Sequence, residues 1–416
     1  MWEIGYRILL WLAFPWVFAR LWWRGRAEPA YRQAIGERFG FYGERPEKPV
    51  IWLHAVSLGE TRAAEPLLRA LQSLYPECEF LLTQMTATGR EAAQRLLDGS
   101  VRVAWLAYDY PSAARRFVRH FRPRLGLVME TEIWFNLVRE CERAGVPLVL
   151  ANARMSARSA RGYAAVAPLV RAALQRISAV AAQTGEDAER LLALGARTVE
   201  VTGNLKFDAA PDAGSEALAS LFRGWFGERP VLLAASTREG EEELLLDALQ
   251  EYPLGEVILV IVPRHPQRFD AVARLLSARG LKSARRSANA PLEPGCAILL
   301  GDSMGEMGAY YRAADIAFVG GSLLAYGGQN LIEACAAGVP VLVGPYTYNF
   351  AQAAESAIAA GAALRVSDAR EAVRQARPIL QDRERREHMG RAGIAFCAVH
   401  RGAVARTEAI CERLLG

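Results

Sequence analysis

The sequence predicts an α/β protein with two doubly wound domains of parallel strands and covering helices, preceded by an apolar N-terminal segment. Three observations lead there. From residue 50 onward, short apolar runs alternate with stretches of ten or more residues at helical spacing. The runs are continuously apolar rather than alternating, which marks strands covered on both faces and hence a parallel sheet. The alternation breaks once, over 208–230, and then restarts.

Length and composition set the bounds. A chain of 416 residues favours two or three domains, and 52% hydrophobic against 23% charged residues is a globular composition. The net charge of +5, from 50 basic and 45 acidic residues, is too mild for a bulk nucleic-acid binder, so no nucleic-acid partner is expected. It suits an anionic substrate or membrane surface, and the basic residues are mostly arginine, which grips carboxylates and phosphates bidentately. Cys78, Cys141, Cys296, Cys335, Cys397 and Cys411 have neither zinc-site nor disulfide-framework spacing and read as buried free thiols.

The elements follow in order. Residues 8–23, ILLWLAFPWVFARLWW, contain one charge, Arg20, and carry Trp11, Trp16, Trp22 and Trp23. Tryptophan favours the membrane interface and positive residues mark the cytoplasmic flank, so residues 1–26 are read as a membrane anchor, with Arg20, Arg24 and Arg26 leaving the rest in the cytoplasm. The stretch is short of the ~20 apolar residues of a full span. It contains Pro15 and lacks the n-region and cleavage site of a signal peptide. A core helix of the soluble fold is the alternative.

Residues 27–207 form the first domain, with strands expected at VIWLHA (50–55), EFLLTQ (79–84), VRVAWLAY (101–108), LGLVME (125–130), VPLVLANA (146–153) and AVAAQ (179–183). Residues 208–230 hold proline, glycine and acidic residues without a strand and are taken as the linker. Residues 231–366 form the second domain, with VLLAAS (231–236), VILVIVP (257–263), AILLGD (297–302), IAFVGG (316–321), VPVLVG (339–344) and ALRV (363–366). Residues 367–416 read as helices. Two doubly wound domains behind one linker point to the GT-B glycosyltransferase architecture, which also hosts epimerases and phosphorylases. Ligands in such sheets bind beyond the carboxyl ends of the strands.

Seven motifs lie at those ends. In HAVSLGE, Gly59 allows a tight approach and Glu60 opens a helix. A carboxylate there can take a proton from an acceptor hydroxyl, or merely complement the helix dipole. The helix terminus is expected to favour its ionised form, giving a weak but always available base. In METEIW, Glu130 and Glu132 suit a second acid/base, acceptor contacts or helix N-terminal charge. In NARMSARSARGY, Arg154, Arg158 and Arg161 suit acceptor phosphates or form a solvated basic face. In STREGEEE, Ser236 and Glu239 fit a capping box, and Arg238 near a helix N-terminus suits a phosphate or carboxylate. VPRHP puts Arg264 and His265 at a strand end. GDSMGEMG offers Asp302 or Ser303 as a cap, with amides exposed near Gly305 and Glu306. From Gly320 to Gly338, Gly327 and Gly328 permit backbone approach to a phosphate, and Glu333 can accept bonds from ribose hydroxyls.

The sequence contains no G-x-G-x-x-G, G-x-x-x-x-G-K-[ST], D-x-D or H-E-x-x-H. A metal-independent reaction without a cofactor is expected.

In their order, HAVSLGE, TQMTATG, METEIW, ANARMSARSARGY, VTGNLKFD, ASTREGEE, VPRHPQRF, GDSMGEMG, AFVGGSLL, GGQNLIE and GPYTYNF resemble the Kdo transferase family, Kdo being 3-deoxy-D-manno-octulosonic acid. The likeness runs from the N-terminal segment to about residue 360. It implies transfer of Kdo from CMP-Kdo to the lipid A precursor, with inversion, at the cytoplasmic face of the inner membrane. Carried over, it implies Glu60 as general base. Arg264 and His265, with Met304, Gly305 and Glu306, contact the donor nucleotide, and Asn330, Leu331, Ile332 and Glu333 hold CMP. Ser236 and Arg238 join the donor set, and Ser57, Gly59, Arg154, Arg158 and Arg161 the acceptor set. Many family members carry His and Phe at Tyr346 and Tyr348, and His and Pro at Gln329 and Leu331; the latter change lies close to the donor site and bears on the local donor contacts rather than on Glu333. Glu37, ahead of the first strand, reads as structural or acceptor-side. A GT-B-fold nucleotide-sugar epimerase and a non-catalytic lipid A-binding scaffold are the alternatives. Neither the number of Kdo units nor the oligomeric state is written in these motifs.

Overall fold

The computed structural model describes residues 2–97, 99–209 and 214–416. It has two compact units, Met1–Ala209 with His400–Gly416, and Ala210–Val399. Of the stretch expected as linker, positions 210–213 lie outside the described residues, and Ser215–Phe226 is helical.

The first unit opens with α1 (Trp2–Ala27), longer than the apolar run that signals it. It continues β1 (Val50–His54), α2 (Leu58–Leu74), β2 (Glu79–Gln84), α3 (Ala87–Leu96), β3 (Arg102–Trp105), α4 (Pro111–Phe121), β4 (Pro123–Met129), α5 (Phe135–Arg143), β5 (Leu148–Ala153), α6 (Ala157–Ala164), α7 (Ala167–Leu174), β6 (Ala179–Ala182), α8 (Gly185–Leu194) and β7 (Val199–Val201). The strands pair in parallel in the order β3-β2-β1-β4-β5-β6-β7. Successive side chains of a strand point to opposite faces. Trp52 of β1 therefore joins the core with Phe117 and Leu148, while Ile51 and Leu53 join the other core with Leu67 and Leu127. Gly126 on β4 is glycine for a packing reason: a Cβ there would stand 2.7 Å from the Trp52 ring.

The second unit runs α9 (Ser215–Phe226), β8 (Val231–Thr237), α10 (Glu241–Glu251), β9 (Ile258–Pro263), α11 (Phe269–Ala278), β10 (Ser283–Arg285), β11 (Ile298–Leu300), α12 (Met307–Ala313), β12 (Ile316–Val319), α13 (Ile332–Ala336), β13 (Val341–Val343), α14 (Ala351–Ala359), β14 (Ala363–Arg365), α15 (Ala369–Gln381) and α16 (Arg383–His400). Its parallel sheet has the order β10-β11-β9-β8-β12-β13-β14. The last helix, α17 (Ala403–Leu415), belongs to the first unit. The Asp208 carboxylate accepts the Gly402 and Val404 N–H groups at 2.7 Å each, and Ile410 and Cys411 enter that unit's core.

Six apolar runs per half predict six strands, and the structure has seven in each sheet. The additional ones, β7 and β10, are three-residue strands at sheet edges without a buried residue. A strand that buries nothing leaves no apolar run to read. Strand order reverses between β1 and β4 in the first sheet and between β8 and β12 in the second. The loops at these two reversals are where an open parallel sheet leaves a crevice.

Candidate active site

In the first unit, the chain leaves β1 and reaches Ser57, the N-cap of α2. Ser57 Oγ accepts the Glu60 N–H at 3.4 Å, and its hydroxyl donates to Glu60 Oε1 at 3.1 Å. The Val56 N–H donates to Glu60 Oε2 at 2.7 Å. This is a variant of the capping box, with the carboxylate reaching back to the N–H one position ahead of the N-cap, and its S-x-x-E signature was present in the sequence at Ser57 and Glu60. A side chain at Gly59 would meet only Ser57 Oγ, at 3.9 Å, so no close approach within the chain requires glycine there.

Glu130 and Glu132 follow β4, across the reversal from Glu60. Burial, followed by the charge of Glu130 and then by that of Glu132, raises the Glu60 carboxyl to about 7 against the lowering effect of its bonds to Val56 and Ser57. The expectation of a carboxylate held in its ionised form by the helix terminus is corrected: desolvation and two like charges outweigh the cap. Glu132 is raised too, by burial and by Glu130. Glu130 itself adopts a left-handed backbone, φ 56°, which is costly for a non-glycine residue. Its carboxylate lies 3.7 Å from Lys206 Nζ. His54 is fully buried, with Nδ1 3.0 Å from the Thr83 carbonyl, and burial lowers it to about 4, so it stays neutral.

The loop after β5 is tied to this loop. Thr131 Oγ1 donates to the Arg154 carbonyl at 3.0 Å, and the Tyr163 hydroxyl to the Thr131 carbonyl at 3.3 Å. Arg158 and Arg161 are exposed on α6, a helix with no buried residue. Buried Asn152, at φ 52°, accepts the Leu205 N–H at 3.0 Å and so fixes the segment carrying Lys206. Lys206 follows β7, and because that strand is too short and exposed to register, the lysine carries no positional signal in the sequence. Glu37 is structural here: it accepts the Trp105 N–H at 2.8 Å and pairs with Arg90 at 3.2 Å.

In the second unit, Ser236, next to last in β8, stands at φ 54° and forms no capping box with Glu239. That expectation is corrected. The left-handed turn carries the chain past the cap position, which Gly240 takes. The fully buried carboxylate of Glu241 replaces the box, accepting N–H groups from Arg238 at 2.8 Å, Gly321 at 2.6 Å and Leu323 at 2.9 Å. It thereby joins the loops after β8 and β12. Gly320 is required there, because a Cβ would stand 2.6 Å from the Ser236 carbonyl oxygen.

Arg238 lies over the Tyr326 ring at 4.5 Å, and Arg264 Nε donates to Gln329 Oε1 at 3.1 Å. Arg268 forms a bidentate pair with fully buried Glu242 at 2.6 and 2.9 Å. Burial and the charges of Arg238, Arg264 and Arg268 lower His265. Arg238 and Arg264, beside His265, offer donors to an anion, while Arg268 is engaged by Glu242.

Neither Asp302 nor Ser303 caps α12, whose N-cap is Glu306. Asp302 accepts from Arg285 at 2.6 Å and from the Ser287 N–H at 2.8 Å, and Glu306 pairs with Arg286 at 2.9 and 3.0 Å. These bonds hold a turn that exposes Met304 and sets Gly305 at φ 87°. Asn330 Nδ2 donates to Glu333 Oε1 at 2.9 Å, while Leu331 and Ile332 turn their side chains into the core. Among the described residues no group of three or more His, Cys, Asp or Glu side chains is placed to hold a metal ion, and all six cysteines are buried and none is in a disulfide.

The family model described as 3-deoxy-D-manno-octulosonic-acid transferase matches residues 33–209, and that of group 1 glycosyl transferases matches residues 244–396. The chain is 46% identical over 420 residues to the 3-deoxy-D-manno-octulosonic acid transferase of Bordetella pertussis, with 97% of each chain covered. It belongs to the Kdo transferase family. To the corresponding enzyme of Haemophilus influenzae this Kdo transferase is 37% identical over 416 residues, covering 98% of this chain and 97% of the other. It is a glycosyltransferase with two parallel α/β sheets of the GT-B kind. The UDP-GlcNAc 2-epimerase of Neisseria meningitidis shares that fold, with a TM-score of 0.60 at 17% identity over 88% of this chain and 99% of its own.

Proposed function

We propose that this Kdo transferase moves Kdo from CMP-Kdo to a hydroxyl of the lipid A precursor, inverting the anomeric carbon, with Glu60 as general base. The observation that carries the reading is the Glu60 carboxyl itself. It stands at the reversal of the first sheet, raised to about 7 by burial and by Glu130 and Glu132. A base matched to neutral pH is both deprotonated in quantity and basic enough to take a proton in the transition state. Each carboxylate oxygen keeps a lone pair beyond its bond to Val56 or Ser57.

In this reading, Glu60 takes the proton of the acceptor hydroxyl as its oxygen attacks the anomeric carbon of Kdo. The bond from that carbon to the CMP phosphate breaks, and CMP leaves with the electron pair. Arg238, Arg264 and His265 meet the phosphate and the Kdo carboxylate, so charge on the leaving group is met without reorganisation. Asn330 and Glu333 hold the ribose side. Arg154, Arg158 and Arg161 face the acceptor's anionic groups. The donor, the acceptor and these roles rest on family membership together with the residues' positions at the strand ends.

The same proposal places the enzyme at the cytoplasmic face of the inner membrane. Helix α1 is long and apolar enough to cross a membrane. Ile8, Leu9, Leu12, Trp16 and Trp23 are exposed on it, while Tyr6, Leu10 and Leu21 pack on the first unit. A helix seated along its length in this way supports lying in the interface with its apolar face in lipid, and Arg20, Arg24 and Arg26 suit anionic headgroups.

The test incubates purified enzyme with CMP-Kdo, a tetra-acylated lipid A precursor and EDTA, and follows acceptor mass. Added Kdo with wild type and none with Glu60→Ala supports the transfer and the role of Glu60, and the anomeric configuration of the product by NMR tests inversion. Consumption of CMP-Kdo without acceptor product favours the epimerase alternative, and donor binding without turnover favours the scaffold.

A further inference from the structure

We propose that α1 does more than hold the enzyme at lipid: through Tyr6 and Asp109 it positions the first turn of α5, and with it the loop carrying Glu130 and Glu132. The inference rests on the reading of that loop as part of the catalytic site.

Asp109 lies in the loop between β3 and α4 and is 3% exposed. Its Oδ2 accepts the Asn136 N–H at 3.0 Å, and its Oδ1 the Leu137 N–H at 2.9 Å. The Asp109 carbonyl takes the Asn136 side-chain amide at 2.6 Å. One buried residue thus satisfies two of the N–H groups that the start of α5 leaves without helical partners. Helix α5 begins at Phe135, directly after the segment of Glu130 and Glu132. Where Asp109 holds Asn136, the acidic loop has its downstream end fixed, as Thr131 and Tyr163 fix its middle.

Helix α1 reaches into this arrangement at three points. The Tyr6 hydroxyl donates to Asp109 Oδ2 at 2.9 Å, the oxygen that also takes the Asn136 N–H. The Tyr6 ring stands edge-to-face against Phe135, with centroids 5.0 Å apart. The Glu3 carboxylate reaches Arg139, one turn further along α5, at 3.5 Å, and Arg176 at 2.9 Å. Binding to lipid needs only an apolar face and flanking positive charge. A tyrosine and a glutamate aimed away from lipid, at the cap and the second turn of one helix, are not explained by that need. They fit an element that orders the acceptor side when seated. Tyr6 and Asp109 are positioning residues, acting on the reaction through α5.

The experiment is a double-mutant cycle on the full chain in detergent micelles carrying the lipid A precursor. It comprises Tyr6→Phe, Asp109→Ala and the double variant, with Glu60→Gln alongside. For each, kcat, the KM for CMP-Kdo, the unfolding midpoint and flotation with anionic vesicles are measured. Tyr6→Phe is expected to lower kcat about threefold to tenfold, the scale of one buried hydrogen bond. It should leave the donor KM and vesicle binding at wild-type values. The double variant should be no slower than Asp109→Ala, because the two act through one contact. Wild-type kcat in Tyr6→Phe overturns the proposal, as does full additivity of the two losses or a loss that tracks vesicle binding. If Asp109→Ala does not fold, Tyr6→Phe decides alone through the split between kcat and donor KM. Wild-type turnover by Glu60→Gln instead removes the general-base reading, and the cycle between Tyr6 and Asp109 is then still judged on its own coupling.

Discussion

Ser57 and Glu60 hold each other at the start of α2: the Glu60 N–H donates to Ser57 Oγ, and the Ser57 hydroxyl donates back to Glu60 Oε1 at 3.1 Å. The structural and the catalytic readings of Glu60 are therefore not rivals. The cap fixes the carboxylate in place, and its surroundings raise its affinity for a proton.

Substituting Glu60→Gln keeps a side chain that can complete the cap but removes the base. The expected result is a folded protein whose kcat falls about 10²- to 10⁴-fold, the usual contribution of a general base. The rate of Kdo addition by mass spectrometry checks this, and a variant within twofold of wild type would end the assignment.

The pH dependence follows from the raised carboxyl. kcat/KM should rise with pH on an acid limb centred near 7, because only deprotonated Glu60 accepts the proton. Glu130→Gln removes a like charge and should move that limb to lower pH. A limb that stays in place would mean that Glu130 does not act on Glu60.

Stability carries the same signature with a definite sign. The folded-state value of Glu60 lies near 7, against 4.5 for an ordinary glutamate. Between them the unfolded chain releases its proton more readily, so the Glu60 contribution to stability falls as pH rises through that window. Glu60→Gln should be more stable than wild type at pH 8 by about 1–3 kcal/mol and equal to it below pH 4.5. Urea unfolding at both pH values measures the difference.

Glu241 holds the second unit's loops together from beneath. Glu241→Ala leaves the N–H groups of Arg238, Gly321 and Leu323 without their acceptor. At about 1–3 kcal/mol for each buried donor left unsatisfied, the loss should be large by urea unfolding. CMP binding by calorimetry should weaken with it, since Arg238 lies on one of the released loops.

The lipid-facing side of α1 can be tested separately. Trp23→Glu places a charge on one of its most exposed positions and should lower flotation with anionic vesicles while leaving the unfolding midpoint unchanged. Undiminished binding would show that lipid contact lies elsewhere.

Much of the fold was legible because buried parallel strands are apolar along their whole length, and VIWLH and ILVIVP show this plainly. β7 and β10 were not, since edge strands this short bury too little to leave a pattern. The strand-end positions of Glu60, Arg264 and Glu333 followed from the same runs. Lys206 did not, because its strand was invisible, and neither did Asp109, whose partners Tyr6 and Asn136 are 103 and 27 positions away.

By itself the sequence determined the fold class, the family and the residue types at the strand ends. Those depend on local patterns of apolar and polar residues, which act over a few positions along the chain. Only the tertiary structure decided the chemical state of those residues. It packed Glu130 and Glu132 close enough to raise Glu60, converged three N–H groups on Glu241, and brought Tyr6 of the apolar helix against Asp109. Desolvation and charge proximity arise between residues far apart in the chain, so no window of sequence contains them.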